Sequence, residues 1–251
     1  MTLMLNQRHD GRGPEDLRPI ALDSRYLELH PASCLTRFGR TWVLCTASVD
    51  ERVPPFLEGT GRGWVTAEYS MMPGSVGGRI APGRGGRAEE ISRLIGRSLR
   101  AAVDFALIGP RTVTIDCQVV QADGGTRTAA VTGGYVALAL ALHDLKVKGL
   151  LASTPLVQQI AAVSVGLVDG RALLDLPQEE DSRADADVNV VMNAAGQFVE
   201  IQGTAEGLPF ERARLDELLD LAASGIERLL AAQRATLERA LASDRHRGIV
   251  A

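Results

Sequence analysis

The chain has 251 residues, 45% of them hydrophobic, with 27 lysines and arginines against 31 aspartates and glutamates for a net charge of −4. That is enough chain to bury a sizeable core as one unit, and its negative balance provides no global field that draws in polyanions. Aromatic residues at 4% argue against a surface that holds nucleic acid mainly by stacking, the longest apolar run, Tyr135–Leu142, is too short to span a bilayer, and residues 1–10 carry no export signal.

Residues 1–20 read as an irregular N-terminal arm, punctuated by Gly11, Gly13, Pro14 and Pro19. Strand-like runs follow at Tyr26–Leu29, Thr41–Val49 and Trp64–Ser70, rich in β-branched and aromatic residues. PGSVGGRIAPGRGG, at 73–86, reads as a mobile loop, with 74–86 as its glycine- and arginine-rich body. A helix follows over 88–107, where Ile91, Leu94, Ile95, Leu99, Ala102 and Ala106 share one side. Arg111–Val120 alternates like a half-buried strand, and 129–145 reads as a mostly buried helix. Two hairpins come next. Ile160–Val168 and Ala172–Leu176 flank DGR, and Asp187–Met192 and Phe198–Gln202 flank a turn at Gly196. A long helix closes the chain on Leu215, Leu218, Leu219, Ala222, Ile226, Leu229 and Leu230, before a frayed tail over 243–251. The order predicts one compact α/β unit over 1–251.

Charge is unevenly spread. Between Arg79 and Arg100 the balance is +4, leaving −8 for the rest, so any attraction for an anionic polymer falls largely on that segment. Arg93, Arg97 and Arg100 share one helical face and could grip phosphates, although Glu89 and Glu90 lie on the same face and a solvated stripe stands beside that reading. Cys34, Cys45 and Cys117 show no metal-ligand spacing and fit buried, reduced thiols in a cytoplasmic protein. His9, His30, His143 and His246 are scattered and form no triad.

The chemistry concentrates in two stretches. In QADGGTRT, 121–128, glycines directly ahead of a helix let the backbone approach a ligand, and the helix N-terminus favours an anion. Thr126 adds a hydroxyl and Arg127 a fork that matches phosphate. GRGGR at 83–87 repeats the pattern and ends in Arg87. Two solvated loops with arginines facing water remain the alternative on composition alone. The second stretch, QEEDSRADADVNVVM at 178–192, sets Asp187 and Asn189 on one strand face, with Asp181 aligned to them only if the chain stays extended. Paired carboxylates of this kind suit Mg²⁺; an acidic solvated loop is the bland counterpart. GTGRGW at 59–64 is not G-x-G-x-x-G, and no G-x-x-x-x-G-K-[ST] occurs, which counts against a dinucleotide oxidoreductase or an ATPase.

Four blocks carry a resemblance: VLCTASVDERVPPFLEGTGRGWVTAEYSMMP (43–73), EISRLIGRSLRAAVD (90–104), TIDCQVVQADGGTRTAAVTG (114–133) and LLDLPQEEDSRADADVNVVMNAAGQFVEIQGTAEG (173–207). With DGRGPEDLRPI (10–20) they make nearly the whole chain resemble the bacterial ribonuclease PH family of phosphate-dependent 3′→5′ exoribonucleases and tRNA nucleotidyltransferases. The resemblance implies a ring-forming α/β (α+β) domain of mixed sheets and packed helices. It implies that Arg87, Gly125, Thr126 and Arg127 hold inorganic phosphate as co-substrate, and that Asp181 and Asp187 are catalytic and bind Mg²⁺. It further implies tRNA precursors and other RNA 3′ ends as substrates and a homo-hexamer built as a trimer of dimers, with no DNA or membrane partner. Arg79, Arg84, Arg93 and Arg97 would contact RNA. The alternative is a non-catalytic RNA-binding scaffold subunit of the same fold. One departure stands out. GSVGGRIAPGRGGR is about five residues shorter than the family's arginine-rich loop, with Ala88 in place of the usual threonine after Arg87.

Overall fold

The structure, a computed structural model, describes residues 8–81, 85–207 and 209–246. The first sheet contains β1 (Ile20–Ser24), β2 (Ser33–Phe38), β3 (Thr41–Asp50), β4 (Trp64–Met71) and β5 (Thr112–Gln121), in the order β1-β2-β3-β5-β4. Neighbours run antiparallel except β4 and β5. Parallel strands need a crossover, and α1 (Gly86–Arg100) with α2 (Phe105–Ile108) supplies it. The second sheet is antiparallel, with β6 (Ile160–Val168), β7 (Arg171–Leu174), β8 (Ala186–Asn193) and β9 (Phe198–Ala205) ordered β7-β6-β8-β9. Asp169 and Gly170, both at positive φ, make the tight turn between β6 and β7.

Between the sheets runs α3 (Thr126–Val147), buried along most of its length. It is long and apolar enough to cross a membrane by length and composition, yet 89% of that window is buried inside the protein. A helix apolar on all sides belongs in a core. Gly133 permits its close approach to the first sheet, because a side chain there would collide with Thr36 and meet the Cys45 sulfur at 3.1 Å. α4 (Gln178–Asp181) is a single turn, and α5 (Arg212–His246) packs Leu218, Ala222, Ile226 and Leu229 onto the second sheet. One hydrophobic cluster joins residues of both sheets, α1, α3 and α5.

The structure corrects several expectations. Tyr26–Leu29 is not a strand. Arg25 takes φ +55 and breaks the extended run, Leu29 is 99% exposed, and the strands lie on either side at β1 and β2. The helix expected over 88–107 stops at Arg100, and Asp104 starts a separate turn by accepting a hydrogen bond from the Ala106 amide, leaving Ala106 exposed. Residues 1–7 of the arm lie outside the described residues; from Arg8 it is irregular but pinned, with Arg8 buried against Glu180 and Arg18 against Asp175. Part of the glycine-rich loop is fixed as well, since Ala122 donates to the Ser75 carbonyl at 2.8 Å and Ser75 is buried. The closing helix runs on to His246, through the first residues of the expected frayed tail. Cys34, Cys45 and Cys117 are unbridged and buried, and burial pushes the Cys34 thiol up to about 12.

Candidate active site

The glycine loop is built from below. Asp123 leads into Gly124 and Gly125, both left-handed at φ +72 and +66, and α3 begins at the next residue. At Gly124 a side chain would meet the Pro177 carbonyl carbon and the Gln178 nitrogen at 2.8 Å each, so only glycine lets the loop pass over the start of α4. Arg18 donates to the carbonyls of Asp123 and Gly124. Thr41 donates its hydroxyl to the Gly124 carbonyl at 2.6 Å and accepts from the Asp123 amide at 2.9 Å. No side chain caps α3, which leaves its first amides to the solvent or to a ligand. α1 likewise starts without a side-chain cap at Gly85, which is followed by Gly86 and Arg87.

Both helix starts open on one cavity of about 290 Å³. Arg87, Gly125, Thr126, Arg127, Asp181 and Asp187 all line it, so the two arginine-bearing leads and the two carboxylates converge there. Arg87, Arg127, Asp181 and Asp187 also line a second, adjoining cavity of about 650 Å³, rimmed by Glu90 and Glu206. Asp181 reaches the site by a route other than the extended one. It ends the helical turn α4, and that turn is anchored through Arg8 on the neighbouring Glu180. Asp187 lies on β8 beside Asn189, whose amide donates to its Oδ2 at 3.1 Å.

Electrostatics divide the cavity. Burial raises the Asp181 carboxyl above its ordinary value, while Arg87 and Arg127 pull it down. Burial first and the Asp181 charge second push Asp187 up to about 6. Its Oδ1 is buried without a hydrogen-bond partner. An anionic oxygen with no donor, beside a second carboxylate, is what a cation would satisfy. Among the described residues no group of three or more His, Cys, Asp or Glu side chains could hold a metal on its own. Two carboxylates still fit Mg²⁺, which keeps several waters and is completed by phosphate oxygens.

Three residues of this site escape sequence reasoning. Tyr69, on β4, shares a 2.8 Å hydrogen bond with the Thr126 hydroxyl, and burial raises its phenol. Gln202, on β9, accepts from Arg127 at 2.6 Å and donates to Glu90 at 2.7 Å. Glu90 lies 3.5 Å from the same guanidinium. They lie on strands and a helix remote in sequence from the glycine loop, and no local pattern marks them.

The proposed RNA contacts fare differently. Arg79 and Arg93 are exposed, and Arg84 lies outside the described residues. Arg97 is exposed but forms a bidentate pair with Glu200. Arg100 turns away from Arg93 and Arg97: its guanidinium lies 4.6 Å from the Trp64 ring centroid and donates to the Val65 carbonyl. Arg79, Arg93, Arg97 and Arg100 do not line the cavity.

Residues 16–143 match the 3′ exoribonuclease family, domain 1, and residues 158–225 match its domain 2. The chain is 54% identical over 235 residues to a ribonuclease PH of Moorella thermoacetica, covering 92% of this chain and 94% of that one. A ribonuclease PH of Synechococcus sp. is 54% identical over 237 residues, covering 92% and 97%. Among solved structures, an Archaeoglobus fulgidus exosome with RNA bound to the active site superposes with a TM-score of 0.78 at 22% identity, covering 89% of this chain and 91% of that one. Rice Rrp46 does so with 0.75 at 19% identity, covering 92% and 100%. The solved structures share the fold, and the curated relatives share more than half the residues over nearly the full length: the chain belongs to the 3′ exoribonuclease family, among its ribonuclease PH members.

Proposed function

We propose that this chain is a phosphate-dependent 3′→5′ exoribonuclease that trims tRNA precursors and works in reverse as a nucleotidyltransferase. The observation that carries the reading is the convergence of Arg87, Arg127 and the uncapped start of α3 on one cavity that Asp181 and Asp187 also line. Phosphate sits on the arginines, the Thr126 hydroxyl and the first amides of α3. One of its oxygens attacks the terminal phosphodiester phosphorus. The bond to the 3′ oxygen of the penultimate nucleotide breaks, that oxygen takes up a proton, and the last nucleotide leaves as a nucleoside diphosphate. The arginines hold the attacking phosphate in place, so positioning and charge stabilisation supply the catalysis. Mg²⁺ held by Asp181 and Asp187 would neutralise charge on the phosphoryl oxygens.

Tyr69 fixes the Thr126 hydroxyl, and Gln202 with Glu90 orients Arg127. In Gln202→Leu the guanidinium keeps its charge but loses its orientation. The KM for phosphate should rise about tenfold while kcat stays within about threefold, a loss of uniform binding read from initial rates.

The proposal extends to a cytoplasmic hexameric ring, a trimer of dimers. Support comes from β9, an edge strand of the second sheet that exposes Phe198 and Ile201, and from the fold shared with an archaeal exosome core. The short 74–81 segment contributes Val76 and Ile80 to the cavity wall. With fewer arginines in this loop, tRNA affinity at matched salt should be weaker than for a relative with the full arginine-rich loop, with a shallower salt dependence. Filter-binding titrations at several salt concentrations decide this, and equal affinities would refute it.

The direct test is a 3′-extended tRNA with Mg²⁺, incubated with and without inorganic phosphate. Nucleoside diphosphate released only with phosphate supports the reading. RNA that binds without release supports a scaffold subunit instead.

A further inference from the structure

Four carboxylates line the larger of the two adjoining cavities: Glu90, Asp181, Asp187 and Glu206. Like charges so close disfavour one another and repel an anionic strand, so each needs an occupation. Three have one. Glu90 accepts from Gln202 at 2.7 Å and lies 3.5 Å from the Arg127 guanidinium. Asp181 and Asp187 are the pair that fits Mg²⁺. Glu206 is the fourth, and among the described residues no ion pair or side-chain hydrogen bond engages its carboxylate. It does not complete the metal pair either, since no group of three or more His, Cys, Asp or Glu side chains among those residues could hold a metal. Burial is the first cause of the raised Asp181 and Asp187 carboxyls, but the Glu206 charge adds to both. The backbone sets its place. Across β8 and β9, Asp187 lies opposite Thr204 and Asn189 opposite Gln202. Alternation along the strand puts Gln202, Thr204 and then Glu206 on one face. Glu206 follows the last residue of β9, and its amide continues the pairing by donating to the Asp185 carbonyl at 2.9 Å. The strand that holds Gln202 against Arg127 therefore also delivers an unengaged acceptor to the cavity.

We propose that Glu206 accepts hydrogen bonds from the neighbouring 2′ and 3′ hydroxyls of the terminal ribose, and so restricts the reaction to RNA with an intact terminal diol. The inference rests on the exoribonuclease reading of the cavity. A carboxylate accepts and never donates, so its partner on the substrate must be a donor. An RNA strand carries two kinds of donor, the nitrogens of its bases and the hydroxyls of its ribose. The bases change from one nucleotide to the next, whereas the ribose does not. A fixed acceptor in a site that works along the strand is therefore matched to the sugar, and the 2′ hydroxyl is what separates RNA from DNA there. The terminal ribose alone has both hydroxyls free, and two carboxylate oxygens can meet both. Each cleavage returns a free hydroxyl to the 3′ oxygen of the penultimate nucleotide, so every cycle presents the same diol to the same acceptor. The hydroxyls lie a short reach from the scissile phosphorus. Glu206 shares its cavity with Arg87, Arg127, Asp181 and Asp187, the groups that surround that phosphorus in the proposed reaction.

The test uses the full chain with Mg²⁺, inorganic phosphate and three oligoadenylates that differ only in the last sugar: ribose, 2′-deoxyribose or 3′-deoxyribose. The rate of release of the first nucleotide as a diphosphate gives kcat/KM for each. The unaltered protein should prefer the ribose end to either deoxy end by about tenfold or more, the worth of a hydrogen bond to a charged acceptor. In Glu206→Ala that preference should collapse, because the ribose end slows by about ten- to a hundredfold while the deoxy ends change less than threefold. Glu206→Gln keeps the shape and one acceptor oxygen, and its preference should fall between the two. The KM for phosphate should stay within about twofold in both variants, which separates a contact with the sugar from a disturbance of Arg127. Glu206 is exposed, so neither variant removes a buried group. Four results overturn the contact while the exoribonuclease reading stands. These are equal rates on the three ends with the unaltered protein, an equal change on all three in Glu206→Ala, a tenfold rise in the KM for phosphate, and a raised Mg²⁺ requirement common to all three ends. No nucleoside diphosphate from any of the three with the unaltered protein overturns the exoribonuclease reading and the contact together.

Discussion

Asp187→Asn should lower phosphate-dependent release of nucleoside diphosphate by about a thousandfold while leaving the assembled mass unchanged. The substitution preserves shape but removes the charge of a half-buried carboxylate that lies near Asp181 and carries a buried, unpartnered Oδ1. A loss of that size is typical when one preorganised charge-stabilising group is deleted. Chromatography of the released nucleotide measures it, and turnover within tenfold of the unaltered protein would remove Asp187 from the site. The same residue makes a prediction about stability in the metal-free protein. Its pKa is raised in the fold to about 6 from an ordinary 3.8, mainly by burial and then by Asp181. The unfolded chain therefore gives up the proton before the folded one does. The contribution to stability is complete below about pH 4 and lost as pH rises through about 6. Thermal unfolding in chelator should show that limb between these values, and Asp187→Asn should flatten it. Adding Mg²⁺ at pH 7 should raise the unfolding temperature of the unaltered protein and leave that of the variant nearly unchanged.

The second large effect lies below the site. Arg18→Ala should destabilise the protein by about 3–5 kcal/mol, the range for removing one partner of a buried pair. Arg18 and Asp175 are 4% and 0% exposed, and three hydrogen bonds of 2.7–3.0 Å join them through the Arg18 side chain and its own amide. Burial pushes the Asp175 carboxyl upward, but Arg18 and then Arg12 outweigh it and hold the group below its ordinary value. The stability it lends is present above the ordinary aspartate pKa and lost as pH falls through the lower, folded one. Arg18 also holds two carbonyls of the glycine loop, so the variant should lose phosphate affinity at temperatures where it remains folded. Denaturant titration gives the first quantity and isothermal titration with phosphate the second. The double variant Arg18→Ala, Asp175→Ala should be less damaged than Arg18→Ala alone, because no buried carboxylate is then left with only the more distant Arg12, 3.7 Å away, to balance it.

Much of the site was legible because its parts are local. Gly124, Gly125 and Arg127 lie within four residues, and Asp187 and Asn189 alternate on one strand, so period and glycine chemistry suffice to single them out. The long strands and α3 were legible for the same reason: their apolar residues repeat at two or fill every face. What escaped was set by tertiary contact. Gln202 orients Arg127 from 75 residues away, and Arg8 anchors Glu180 from 172 away. Tyr26–Leu29 looked like a strand because aromatic and branched residues favour pairing, but Arg25 turns the chain before a partner is available. Arg100 sat on the predicted basic face, yet an indole and a backbone carbonyl nearby drew its long side chain inward.

The placement of α3 also governs how the molecule breathes. Its middle turns are packed between two sheets and can open only with the whole core, so their amides should exchange with solvent hydrogen at the rate of global unfolding. The first turn differs: its amides have no carbonyl to return to. Thr126, Arg127 and Thr128 should therefore exchange quickly at the end of the slowest helix in the protein, and become protected only while an anion rests on them. Occupancy of the phosphate seat is written into the exchange rates of three consecutive amides, which can be followed without any RNA present.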